Sequence, residues 1–181
     1  MDPFYNPGVS GRLEPDREIC QKENCQICEN LRNTKFYSYQ TNKCYKSPHN
    51  LQCITQNVIY LLTCNICKKQ YVGETKRSFI IRLKEHLADI RHKRDKPLSN
   101  HIKSHTESSG HITFHIIECI HKDPILPETT EFRKKREIFW IYRLKTLHPH
   151  GLNTLGWSVD KRIELPIGKN SKCSFFISPV Y

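Results

Sequence analysis

Asn57-Val-Ile-Tyr60-Leu-Leu-Thr-Cys64-Asn-Ile-Cys67-Lys-Lys-Gln70-Tyr71-Val-Gly73-Glu-Thr75 is the stretch that decides the fold. Two short runs rich in Val, Ile, Tyr and Leu, over 57–63 and 69–74, are β-prone. They flank a turn that carries Cys64 and Cys67, so the spacing predicts a hairpin. Downstream, Ser78 to His92 predicts a helix with Ser78 as N-cap and an apolar stripe of Phe79, Leu83, Leu87 and Ile90. Arg82 and His86 are i,i+4 neighbours beside that stripe, so both can point into one cleft. Pro97 opens a short helix carrying Leu98, His101, Ile102 and His105. Alternation around Ile112, Phe114 and Ile116 predicts a third strand over 112–119. The longest helix is expected over about 130–147, capped by Thr129 or Thr130 and ended by Pro149. Phe132, Phe139, Trp140, Leu144 and Leu147 are its core-facing positions.

The chain has 181 residues, enough for one core of ordinary size or a small core with a metal-stapled module. Its formal net charge of +11 attracts polyanions, nucleic acid first and an anionic membrane second. No apolar leader and no run of transmembrane length is present, which predicts a nuclear or cytoplasmic protein with no membrane partner. Nine cysteines in a reducing compartment point to metal ligands rather than disulfides. The expected organisation is a disordered lead-in over 1–18, a Cys-rich zinc segment over 19–54, a catalytic domain over 55–157 and an irregular tail over 158–181.

Each candidate site residue suits a phosphodiester-cleaving centre. Helical spacing sets Glu137 beside Trp140, Ile141 and Leu144, where an ionised acid is costly unless a cation compensates it. One such carboxylate, with phosphate oxygens and waters, commonly suffices for Mg²⁺, and Mn²⁺ is an alternative. Arg82 offers a fork for phosphate. Tyr60 and Tyr71, on adjacent strands, can converge on the attacking water, provided a cation lowers a phenol pKa of about 10. Taken singly, each is more commonplace: a packed strand aromatic, a solvated helix charge, an acid paired with Arg133 or Lys134.

The order of Tyr60, Tyr71-x-Gly73, Arg82, Glu137 and Asn153 resembles the GIY-YIG nuclease superfamily, with Val58 and Val72 standing where its tripeptides have Gly and Ile. The CxxC inside the hairpin, Arg82-x3-His86 and Glu137-x2-Trp-Ile-x2-Leu144 leading to Pro149-x-Gly-Leu-Asn153 resemble the endonuclease domain of Penelope-like retroelements. The resemblance implies an α/β (α+β) fold, a small three-stranded antiparallel sheet flanked by helices with zinc-binding insertions. It also implies that Tyr60, Tyr71, Arg82, His86, Glu137 and Asn153 form a Mg²⁺-dependent DNA endonuclease site. A reverse transcriptase precedes this domain in such elements and is absent from the chain.

Cys64 and Cys67 have zinc-chelating spacing, with histidines from the His101, His105, His111 group as partners. The resemblance favours His101 and His111, with His105 as the alternative. Cys20, Cys25 and Cys28 form a second cluster that Cys53 completes, with Cys44 as the main alternative fourth ligand. Four protein ligands leave no open position, so both zincs would be structural. DNA is expected to bind mainly through phosphate contacts to Arg77, Lys84, 91–96 and 133–136. The competing functions are a zinc-stabilised nucleic-acid-binding module without catalysis and a treble-clef-like protein-interaction module.

Overall fold

The computed structural model describes residues 20, 22–105, 112–121 and 126–154. The lead-in over 1–18, His111 and the tail over 158–181 lie outside the described residues. In chain order the elements are α1 (Gln26–Leu31), β1 (Lys35–Ser38), β2 (Lys43–Lys46), β3 (Val58–Cys64), β4 (Gln70–Thr75), α2 (Phe79–Arg91), α3 (Pro97–Lys103), β5 (Ile112–Cys119) and α4 (Pro127–Leu144). The fold is mixed α/β: a three-stranded antiparallel sheet in the order β4-β3-β5, flanked by helices, with a separate β1-β2 hairpin.

Strand β3 is central and buried along its whole length, which explains its nearly unbroken apolar run. Its alternate residues serve two cores. Val58, Tyr60, Leu62 and Cys64 pack with Phe79, Leu83 and Ile90 of α2, and with Leu98 and Ile102 of α3. Ile59 and Leu61 pack with Trp140, Ile141 and Leu144 of α4, and with Phe36 and Tyr45 of the hairpin. Between Ile59 and Tyr60 the β3–β5 register slips by one residue. Ile116 and the extra residue Ile117 are nonetheless both buried, one in each core.

Several expectations need correction. Leu87 is exposed, and His86 takes its place on the buried face of α2. Ser78 occupies the N-cap position but makes no side-chain cap bond. The first α2 amides are satisfied instead by carbonyls upstream: Phe79 N donates to Thr55 O at 2.9 Å and Ile80 N to Cys53 O at 2.7 Å. Helix α4 begins at Pro127, a favoured first-turn residue, with Leu126 as N-cap. It ends at Leu144, not at Pro149. Lys145 adopts a left-handed conformation, and Thr146 N reaches back to Ile141 O at 3.0 Å, closing the helix. Phe132 and Phe139 are partly exposed rather than core residues. The sequence reading also missed α1 and the β1-β2 hairpin, although Leu31, Phe36 and Tyr45 are buried in the two cores. Among the described residues no helix is long and apolar enough to cross a membrane.

Candidate functional site

Tyr60 and Gly73 are direct cross-strand partners on β3 and β4. The Tyr60 ring lies over Gly73 so closely that a Cβ there would sit 2.4 Å from the phenol oxygen. Only glycine permits that approach. The fully buried phenol then meets two residues of α2. Arg82 Nε donates to Tyr60 Oη at 3.0 Å, and Tyr60 Oη lies 2.7 Å from His86 Nε2. Because Arg82 only donates, the phenol proton is free to point at His86. Tyr71 packs its ring edge-on to His86, with centroids 5.6 Å apart. The i,i+4 spacing of Arg82 and His86 thus brings both to the same tyrosine. On the solvent side Glu85, which sequence reasoning missed despite its i,i+3 spacing, holds Arg82 Nη1 at 3.0 Å and also pairs with Arg77.

Electrostatics separate these groups. Burial, then the Arg82 charge, lower the His86 pKa to about 4, so the imidazole is neutral at pH 7 and can accept a proton. Burial and the adjacent Tyr71 push the Tyr60 phenol up, and Arg82 only partly offsets them. Tyr71 is raised by burial and by Glu137. Arg82 does pull both phenols down, as expected, but burial outweighs it and neither falls below its ordinary range. Burial, then the Glu74 carboxylate, raise Glu137 to about 7 against the pull of Arg82, Lys134 and Arg133. Glu137 thus comes from the α4 layer within electrostatic range of both tyrosines and Arg82. Among the described residues it has no hydrogen bond and no ion pair.

Arg133 is the residue the sequence set beside Glu137, but it is buried and bonded to Glu74 and, at 2.9 Å, to Asn57 Oδ1. Arg136 is held by Glu118 at 2.8 Å. Both arginines of the 133–136 run are therefore engaged within the protein, while Lys134 and Lys135 stay exposed. Asn153 does not face the cleft with the others. Its carboxamide accepts from Val72 N at 2.9 Å and donates to Val72 O at 2.7 Å, and Thr146 Oγ1 also donates to it. It fastens the turn after α4 to β4, one residue beyond Tyr71. Gly151 makes that turn possible, since a Cβ would meet the Thr146 carbonyl at 2.1 Å.

Two four-donor clusters flank the cleft. Cys20, Cys25, Cys28 and Cys53 bring their sulfurs within 4.8 Å of one another, with Cys53 to Cys20 at 3.4 Å and Cys25 to Cys53 at 3.9 Å. Cys53 completes this set, whereas Cys44 lies across from Tyr37 on the β1-β2 hairpin. In the second cluster Cys64, Cys67, His101 and His105 converge. Cys67 to His101 is 3.2 Å, Cys64 to His105 is 3.6 Å and the two Nε2 atoms are 3.2 Å apart. His105 completes this set among the described residues, and His111 lies outside them. A tetrahedral zinc with usual bond lengths sets sulfur–sulfur edges near ~3.8 Å, sulfur–nitrogen near ~3.5 Å and nitrogen–nitrogen near ~3.3 Å. Both donor sets are close to that size.

The family model for the GIY-YIG catalytic domain matches residues 56–149, the segment that carries Tyr60, Gly73, Arg82 and Glu137. The chain belongs to the GIY-YIG family. Among solved structures it is similar to the catalytic domain of the homing endonuclease I-TevI, at 21% identity and a TM-score of 0.43. A Glu-to-Ala mutant of the catalytic domain of the intron endonuclease I-TevI gives 24% identity and a TM-score of 0.44. Each likeness covers 56% of this chain and 100% of the other. No curated protein matches the sequence. Within the GIY-YIG segment, β3, β4, α2 and α4 supply the cleft, while Cys20, Cys25, Cys28 and Cys53 all precede position 56.

Proposed function

We propose that this chain is a Mg²⁺-dependent DNA endonuclease of the Penelope-like type, acting in the nucleus or cytoplasm. The observation that carries the reading is one buried phenol, Tyr60, bonded to a cationic Arg82 and a neutral His86, with an acid, Glu137, in range. Glu137 fits a hard divalent cation, because it is an oxygen donor with a raised pKa and no ion pair among the described residues. Mg²⁺, or Mn²⁺ in its place, would lower the pKa of a bound water and neutralise charge on the scissile phosphate. The chain's own residues do the rest. Arg82 presents guanidinium donors toward phosphate oxygens as they gain charge. Tyr60 takes the proton of the attacking water as it passes its own to His86 Nε2, a transfer that the 2.7 Å contact permits. Tyr71 walls the cleft and offers a hydroxyl to the phosphate. Asn153 acts as a positioning residue through Val72.

The CxxC inside the hairpin supports the Penelope-like assignment, and both clusters fit structural Zn²⁺ with no open coordination position. One zinc ties the hairpin that bears both tyrosines to α3. The other fixes Cys53, whose carbonyl receives the α2 amide of Ile80. The basic charge draws DNA in, chiefly through its phosphates.

The test is conversion of supercoiled plasmid to nicked or linear product. The wild-type chain should cut only with Mg²⁺ or Mn²⁺, and Glu137→Gln should abolish cutting while DNA affinity stays within about twofold. Salt-sensitive DNA binding without any wild-type cleavage would instead identify a zinc-stabilised binding module.

A further inference from the structure

The β1-β2 hairpin shows one face to the core and another to solvent, and the outer face is chemically unusual. Phe36 and Tyr45 turn inward, stack on each other and pack edge-on against Trp140. Outward, Tyr37 is 51% exposed and Tyr39 45% exposed. Beside them on the outer face stand Lys35 and Lys46 of the same hairpin, and Lys68 from the CxxC turn, whose ammonium lies 5.9 Å from the Tyr39 ring. All three lysines are exposed, and none forms a salt bridge among the described residues. From Asn30 to Gly73 the sequence contains no Asp or Glu at all. A surface built for general solubility would mix the two signs.

The platform is fixed relative to the cleft. Gln70 is buried and clamps the hairpin backbone from both sides. It donates to Tyr37 O at 2.8 Å and accepts from Tyr39 N at 3.2 Å. The next residue is Tyr71. Ser38 Oγ donates to Leu144 O at 3.0 Å, pinning the hairpin to the end of α4 as well. Tyr71 itself points to the opposite face of the sheet, so two exposed rings and a one-sign charge field are held rigidly on the face of the sheet that α4 covers.

We propose that this face binds an unpaired DNA strand, with nucleobases stacked on Tyr37 and Tyr39 and phosphates met by the surrounding lysines. Exposed aromatics interleaved with cations are the usual means of holding single strands. A duplex keeps its base faces inside its own stack and cannot use them. The inference rests on the nuclease reading only for the choice of DNA as the polyanion.

The experiment is fluorescence anisotropy of the full zinc-loaded chain with a short labelled oligothymidylate and with a duplex of equal length, without added Mg²⁺. Tyr37→Ala with Tyr39→Ala should weaken oligothymidylate binding at least about fivefold per ring and change duplex binding by less than about twofold. Tyr37→Phe with Tyr39→Phe keeps the rings and should bind as wild type does. Wild-type affinity in the alanine pair, an equal loss on duplex, or an equal loss in the phenylalanine pair would each overturn the proposal. The readout involves no cleavage. A chain that cuts nothing yet needs both rings ends the nuclease reading alone, and an active nuclease indifferent to them ends only this one.

Discussion

The tyrosine cleft and the two sulfur-rich clusters treat their polar groups in opposite ways. In each cluster four donors face one another at distances a single ion would set, and nothing is left over. In the cleft the groups are less evenly matched: a neutral His86, a phenol held in its protonated form and a carboxyl with no ion pair among the described residues. A closed donor set supplies folding free energy. An open one leaves electrostatic demand which, on the proposed reading, a cation and a phosphate would meet. The lesson is a division of labour, in which the clusters position α2, α3 and the hairpin so that the cleft can remain unsatisfied.

The largest effect should come from breaking the closed side. Structural zinc contributes about 10–16 kcal/mol of apparent binding energy, more than a small domain's net stability of about 5–15 kcal/mol. Cys64→Ser and Cys53→Ser should each remove one zinc, as read by mass spectrometry, and collapse the cooperative melt seen by circular dichroism. The two should differ locally under hydrogen exchange. Cys64→Ser loosens the tyrosine hairpin and α3 first, whereas Cys53→Ser frees the start of α2. A metal-free preparation that melts like the wild type would show that the clusters are only neighbouring thiols.

Gly73→Ala breaks the open side without touching a cluster. The new methyl would overlap the Tyr60 phenol, which must then leave Arg82 and His86. A displacement of about 1 Å can cost roughly 10²-fold in rate. Nicking should fall by that order with zinc content and DNA affinity unchanged. Unaltered nicking would mean that Tyr60 Oη plays no part in the chemistry.

This contrast also explains what the sequence disclosed. The cysteines and histidines announce themselves by spacing, yet the choice of His105 depends on the turn at the end of α3, which no spacing rule specifies. The cleft residues were found by order along the chain. Asn153 was found the same way, but nothing in Gly-Leu-Asn indicates its bonds to Val72. The hairpin at 35–46 was missed because Lys and Ser outnumber apolar residues there; its inward Phe36 and Tyr45 become meaningful only against Trp140. Arg133 read as a surface charge because its partner, Glu74, is far away in sequence.

A subtler test of the unmatched cleft is its pH response without Mg²⁺. Glu137 has a folded pKa of about 7 against an ordinary 4.5, so the folded state holds its proton longer and loses stability as pH rises from 4.5 to 7. His86 has a folded pKa of about 4 against 6.5, so the unfolded state binds its proton first and stability falls as pH drops from 6.5 to 4. The two slopes oppose each other in the wild type. Glu137→Gln should leave the His86 slope alone, giving a melting temperature that falls more steeply on acidification. His86→Asn should show the reverse trend. Parallel curves for all three proteins would place both groups in ordinary solvent.

Asn153→Ala should have the smallest effect, and its sign discriminates between the two kinds of region. The carboxamide's bonds to Val72 N and O and to Thr146 are buried and within the protein. Removing them leaves the strand's amide and carbonyl short of partners, a cost of about 1–3 kcal/mol. The change reaches the chemistry only through the position of β4, and therefore of Tyr71. Stability should fall by that amount while nicking, measured well below the melting temperature, drops less than about tenfold. Asn153→Asp keeps the acceptor for Val72 N but loses the donor to Val72 O, so it should be intermediate in stability only if it remains protonated, and worse than alanine once ionised beside that carbonyl. A variant with wild-type stability and a rate loss of about 10²-fold would put Asn153 on the substrate instead, and the turn after α4 would then belong to the cleft.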